Sequence, residues 1–243
     1  NLACSVHRFQ RSLVVVAADS GLCAILAAVP GVHACVEPES PRLALPKDAY
    51  VLKLEVAARA AELNASALVL DAGAVCVSEP SLPEGGPSLL GSFQDKRCVP
   101  APERSLGDCA SHHDGEIDSF ATPIFAARGA AAGAALRRAV ALLRDPATKL
   151  FGDQEALRES LRELGDRASW DFLPYPQFVR SMQWCWPDGC AGYSDAHTFH
   201  DAKAGDVMAY AGAMTQRGLT AAQRVRTKQR ALADAGLWLL DSE

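Results

Sequence analysis

The chain has 243 residues, 49% apolar and 22% charged, with a formal net charge of −5. That length can bury one large core or two small ones, and with acids and bases mixed along it, no basic block suggests a nucleic-acid partner. No apolar run approaches the roughly 18 uncharged residues that a membrane span needs, so no span is expected within these residues.

The opening, NLACSVHRFQ, has neither an initiator Met nor an apolar signal core, so a processed or trimmed piece of a longer protein is expected. Arg11–Asp19, RSLVVVAAD, is a valine-rich run ending in an acid and reads as a buried parallel strand. GLCAILAAVPGV reads as a short helix followed by a turn at Pro30-Gly31, and CVEPESPRLALP as a proline-punctuated loop. Asp48–Leu63 has apolar residues at 51, 52, 54, 56, 57 and 60, which predicts a helix with Asp48 as its N-cap. SALVLDAGAVCV then predicts a second buried strand running out at Asp71. This order predicts an α/β fold with a right-handed, doubly wound and mostly parallel sheet. Ligands of such sheets sit at the carboxyl ends of the strands, where Asp19 and Asp71 fall.

Residues 79–116 are rich in Gly, Pro and Ser and read as a surface excursion with room for an edge strand. SFATPIFAAR is a third strand candidate. GAAAGAALRRAVALLRD predicts a helix stopped by Pro146, and DQEALRESLREL another. Trp170–His200 is aromatic and turn-rich, and the tail LTAAQRVRTKQRALADAGLWLL reads as an amphipathic helix ended by Gly236.

Eight cysteines, an even count, permit disulfides and a secretory location. Cys185 and Cys190 bracket the turn-forming WPDG and suit a local disulfide loop; Cys4, Cys98 and Cys109 lie in polar settings and could pair. Cys23, Cys35 and Cys76 lie in apolar segments and read as core thiols. Asn64-Ala65-Ser66 is a glycosylation sequon, usable only in the secretory pathway. His112–Glu116, HHDGE, reads as a solvated turn, because successive loop residues rarely converge on one ion.

Several stretches, in order, resemble the plant and green-algal nucleotide-sugar transferases of the arabinosyl- and xylosyltransferase type. They are SLVVVAAD, the helix carrying Lys53, LVLDAGAVCVSEP, FAARG, GDQEALRESL, AHTF and KQRALADAGLWLLD, and they cover most of the chain. The resemblance implies a GT-A glycosyltransferase fold, with residues 1–243 as a single nucleotide-diphospho-sugar transferase-like domain. Its nucleotide-binding half would be 1–110 and its acceptor-side half 111–243. It also implies a Golgi-lumen or extracellular setting and a membrane anchor upstream of this fragment.

The resemblance assigns roles residue by residue. Asp71 matches the first acid of a D-x-D motif that holds Mn²⁺ or Mg²⁺ against the leaving diphosphate, while Gly73 stands where the second acid is expected. Glu79 could replace that acid only if its loop folds back. His197, with His200 nearby, matches a second metal ligand; Lys53 and Lys228 match lysines near the nucleotide and the diphosphate. Asp153-Gln154 matches an acceptor-side pair, with Asp153 as candidate catalytic carboxylate and Gln154 beside it; an N-cap is the competing reading of Asp153. Ala121-Thr122-Pro123 replaces an N-x-G ahead of Arg128, a second departure from the family pattern.

Two functions are therefore expected as alternatives. In one, the domain transfers a sugar, such as arabinose or another pentose, from a UDP-sugar to a hydroxyproline-rich glycoprotein or cell-wall glycan, with Mn²⁺ or Mg²⁺. In the other, it is a catalytically degenerate transferase-like domain, without a metal, serving as a structural or binding module with protein partners.

Overall fold

The apolar runs and the alanine-rich helices set the layers. The computed structural model describes residues 13–17, 21–37, 46–71, 73–80, 82, 84–93, 117–150 and 152–173, the short strands at 178–179 and 208–210, and isolated residues 2, 7–9, 220, 222, 223, 226, 229 and 233. In chain order the strands are β1 (Leu13–Val16), β2 (Val32–Val36), β3 (Ala67–Leu70), β4 (Ala74–Cys76), β5 (Leu89–Phe93), β6 (Phe120–Ala127), β7 (Trp170–Phe172), β8 (Phe178–Val179) and β9 (Met208–Tyr210). The helices are α1 (Leu22–Leu26), α2 (Pro46–Glu62), α3 (Gly129–Arg144) and α4 (Asp153–Leu164).

The fold is mixed α/β, but the sheet is not the mostly parallel one expected. The largest sheet has the order β3-β6-β5-β7; β6 runs antiparallel to both β3 and β5, and only β5 and β7 are parallel. β1 pairs in parallel with β2, a strand read from sequence as turn and loop, in a separate two-stranded sheet. β4, β9 and β8 form a third sheet. A strand buried on both faces has the same composition in either direction, so the apolar run of β6 carried no sign of its antiparallel course.

One face of the four-stranded sheet packs on α2, α3 and α4. Val51, Leu54, Ala58 and Ala61 recur at helical spacing on α2 and meet Ala132, Ala135, Leu136 and Ala139 of α3, above Phe120, Phe125 and Leu89 of the sheet. The small alanines let α2 and α3 approach closely: a Cβ at Gly133 would lie 3.1 Å from Cγ of Glu62. Arg137 makes a two-pronged ion pair with Glu62 across this helix pair. The other sheet face, with Leu68, Leu70, Leu90, Ile124 and Ala126, is covered by Ala74 and Cys76 of β4 and by Leu13 of β1. Buried Cys76 is thus at a core position, as expected.

β6 is broken by a bulge. A one-residue step on β5, from Gly91 to Ser92, matches a step from Phe125 to Ala121 on β6. The odd number of extra residues returns Phe120 to the same face as Phe125. Pro123 lies inside the bulge; it has no N–H for a ladder, so a central strand tolerates it only at such a place. The ring of Phe120 then fills the space over Gly91, where a Cβ would meet it at 2.6 Å.

Two sequence expectations change locally. α2 begins at Pro46, a favoured first helical residue, and Asp48 lies in the first turn rather than at the cap. Cys23 and Cys35 are not core thiols: they form a disulfide that ties α1 to β2. Cys4, Cys98, Cys109, Cys185 and Cys190, Asp19 and the stretch His112–Glu116 lie outside the described residues.

Candidate functional site

The candidate site forms where β3, β6, α2 and α4 meet. β3 ends at Leu70, and Asp71 follows it at the carboxyl end. The backbone N–H of Asp71 donates to the Pro123 carbonyl at 2.9 Å, and its own carbonyl accepts from Ala74 at 2.9 Å. The first bond extends the β3–β6 ladder and the second closes a turn that contains buried Gly73.

Lys53 stands mid-way along α2, on the face that carries Leu54 and Ala57 into the core. Its Nζ lies 2.6 Å from Asp71 Oδ1, 2.7 Å from Asp153 Oδ2 and 2.8 Å from the Thr122 carbonyl. An ammonium has three N–H donors, and three oxygens surround this one. The Asp153 contact is an ion pair by distance, while its angles fall outside those of a hydrogen bond. Nζ also lies 5.7 Å from the centre of the Phe125 ring, whose face favours a cation.

The side chains of Lys53 and Asp153 are 15% and 10% exposed, whereas that of Asp71 is 33% exposed and opens the cluster to solvent. Burial pushes the Lys53 pKa down, but the charges of Asp153 and Asp71 and their close contacts outweigh it, so the ammonium is held above its ordinary value.

Asp153 is not an N-cap. Gly152 holds that position, and Asp153 is the first residue of α4, where its carboxylate lies in the favourable field of the helix N-terminus. Its Oδ1 accepts from the backbone N–H of Gln154 at 3.0 Å. Gln154 is half-buried beside it.

The structure thus brings together Lys53, Asp71 and Asp153, which the sequence reading drew from three separate stretches. His197, His200 and Lys228 lie outside the described residues, and Glu79 is exposed beyond β4. Sequence reasoning marked Thr122 only as part of the altered 121–123 stretch, without its carbonyl's role, and missed Phe125. A backbone carbonyl has no residue signature, but proline inside an apolar strand was a readable sign of the bulge that presents it.

The described residues do not by themselves assemble a site for the expected divalent cation, whose second expected ligand, His197, lies outside them. The ammonium of Lys53 holds Oδ1 of Asp71, Gly73 offers no carboxylate, and no group of three His, Cys, Asp or Glu side chains stands together among the described residues. Two carboxylates and one ammonium leave the cluster with a net charge of about −1, with the lysine shared between the two acids.

A separate open depression of about 490 Å³, lined by Leu161, Arg162, Asp166, Ser169 and Trp170 among others, lies at the opposite end of α4 from Asp153. The chain matches no protein-family model, no curated protein and no solved structure at a significant level.

Proposed function

We propose that this chain is a nucleotide-sugar-transferase-like domain in which an internal ammonium stands in place of the divalent cation, and that it serves as a binding or structural module in a larger glycoprotein assembly. The observation that carries the reading is the position of Lys53 Nζ, within 2.8 Å of Asp71, Asp153 and Thr122. A metal ion at Asp71 would share that carboxylate with a buried ammonium 2.6 Å from its Oδ1, placing two cations side by side at an electrostatic cost. The GT-A arrangement belongs to this proposal; mixed α/β architecture is compatible with it.

One observation favours the alternative, an active transfer of arabinose or another pentose from a UDP-sugar to a glycoprotein or wall glycan. The diphosphate-side and acceptor-side candidates, Asp71 and Asp153, converge on one lysine, and Asp71 reaches solvent. Calorimetric titration of UDP with and without Mn²⁺ separates the two. The module reading expects no heat that depends on Mn²⁺. Micromolar UDP binding that requires Mn²⁺ and is lost in Asp71→Ala would overturn it in favour of the enzyme.

A further inference from the structure

We infer that Asn64 is a site of N-linked glycosylation. Asn64-Ala65-Ser66 has the acceptor pattern, with alanine rather than proline at the middle position. The chain's other asparagine, Asn1, has Ala3 where the hydroxyl is required. All three sequon residues are exposed, in the turn between α2 and β3.

The turn is a tightly defined helix ending. The N–H of Ala65 donates to the Ala60 carbonyl and that of Asn64 to the Ala61 carbonyl, both at 3.0 Å. Asn64 itself adopts φ of 56°. This pair of bonds with a left-handed residue is the Schellman motif. Asparagine tolerates that conformation, so the cap alone could account for Asn64. The cap makes no demand for a hydroxyl at Ser66, and it says nothing about compartment.

The disulfide is the second, independent observation. Cys23 and Cys35 are joined, and structural disulfides persist in the oxidising compartments through which N-glycosylated proteins pass. Asn64 also precedes β3 whereas Asp71 follows it, so a glycan would sit at the opposite end of the strand from the lysine cluster. The cluster would remain accessible.

In the reaction, Asn64 Nδ2 attacks the anomeric carbon of a lipid-linked diphospho-oligosaccharide. A carbon–nitrogen bond forms and the carbon–oxygen bond to the lipid diphosphate breaks. The diphosphate leaves with the bonding electrons, and one amide proton passes to the transferring enzyme.

The test is secretion of the chain from a eukaryotic cell behind a cleavable signal, followed by peptide N-glycosidase digestion and peptide mass spectrometry. The expected result is a mobility shift equal to one core oligosaccharide and conversion of residue 64 to aspartate. Ser66→Ala should abolish the shift while keeping the helix cap and the thermal midpoint; Ser66→Thr should retain it. Asn64→Gly, which also suits the left-handed position, should lose the glycan and stay folded. An unmodified Asn64 in secreted chain whose Cys23–Cys35 bond is formed would overturn the inference.

Discussion

Replacing Lys53 with methionine removes the charge and keeps much of the side chain's volume. In the native protein the ammonium faces Asp153, whose side chain is only 10% exposed, and Asp71, which is 33% exposed. Asp71 can turn to water for its lost partner, but Asp153 cannot readily do so. Removing one member of a buried pair costs about 3–5 kcal/mol, because the other charge is left uncompensated. Asp71's exposure and the helix field at Asp153 place Lys53→Met near the lower end, about 3 kcal/mol. Urea unfolding at neutral pH measures this directly. Asp153→Asn in the same background removes the stranded charge, so Lys53→Met/Asp153→Asn should be more stable than Lys53→Met alone by about 1 kcal/mol or more, a coupling read from the double-mutant cycle. If Lys53→Met matched the parent within experimental error and the two substitutions were additive, the ion-pair account of the site would be refuted.

Gly91→Ala places a Cβ 2.6 Å from the fully buried Phe120 ring, which Trp170 holds edge-on at 5.8 Å. It should cost about 1–3 kcal/mol in urea unfolding, and Phe120→Leu should relieve part of that. Pro123→Ala adds a backbone N–H at the buried β6 bulge; left unsatisfied, that donor costs about 1–3 kcal/mol, and because Thr122 lies next to it the effect should be non-additive with Lys53→Met. Cys23→Ser/Cys35→Ser opens a loop of sequence separation 12 and should lower stability by up to about 3 kcal/mol, with reductant producing the same loss in the parent. Because its folded pKa is raised, Lys53 contributes stability fully present below its unfolded value of 10.5 and lost as pH rises through the higher folded value. The stability gap between parent and Lys53→Met should therefore narrow in alkaline titration above 10.5 and stay constant between neutral pH and pH 9.

Helices α2, α3 and α4 were legible because their apolar spacing and stop signals agree with the way they pack. β3 and β6 were legible as buried strands but not as antiparallel neighbours, since pairing is decided by the partner and not by either run. β2 was lost because VHACV is short, half-exposed and follows Pro30-Gly31, so its turn signals outweighed its strand signals. β5 lies in a Gly-, Pro- and Ser-rich stretch; it was expected at most at a sheet edge, yet it sits between β6 and β7. Cys23 and Cys35 looked like core thiols in apolar segments, and only the parallel pairing of β1 with β2 and the position of α1 bring them within 5.4 Å between Cα atoms. At the site, the resemblance singled out Lys53, Asp71 and Asp153 separately. Their contact depends on α2 and α4 lying over the same end of β3, which no local pattern encodes.

The departures from the transferase pattern that the sequence resembles become mutually consistent once the site is assembled. A carboxylate at position 73 would add a charge in a buried turn two residues beyond Asp71, which already shares its lysine with Asp153. A divalent cation could stabilise three such acids, but a single ammonium could not, so Gly73 and an inward Lys53 suit each other. The Ala121-Thr122-Pro123 stretch completes the arrangement from the opposite strand. Pro123 favours the bulge and accepts the Asp71 N–H, while Thr122 supplies the ammonium's third oxygen. An asparagine and a glycine in this stretch would offer a donor and an open approach to a ligand; here the same backbone is committed to Lys53 and Asp71. Gly73 keeps the cluster to two acids on one lysine, and Thr122 and Pro123 commit the facing backbone to that lysine and to Asp71, which is the physical basis for the proposed module over a metal-dependent enzyme.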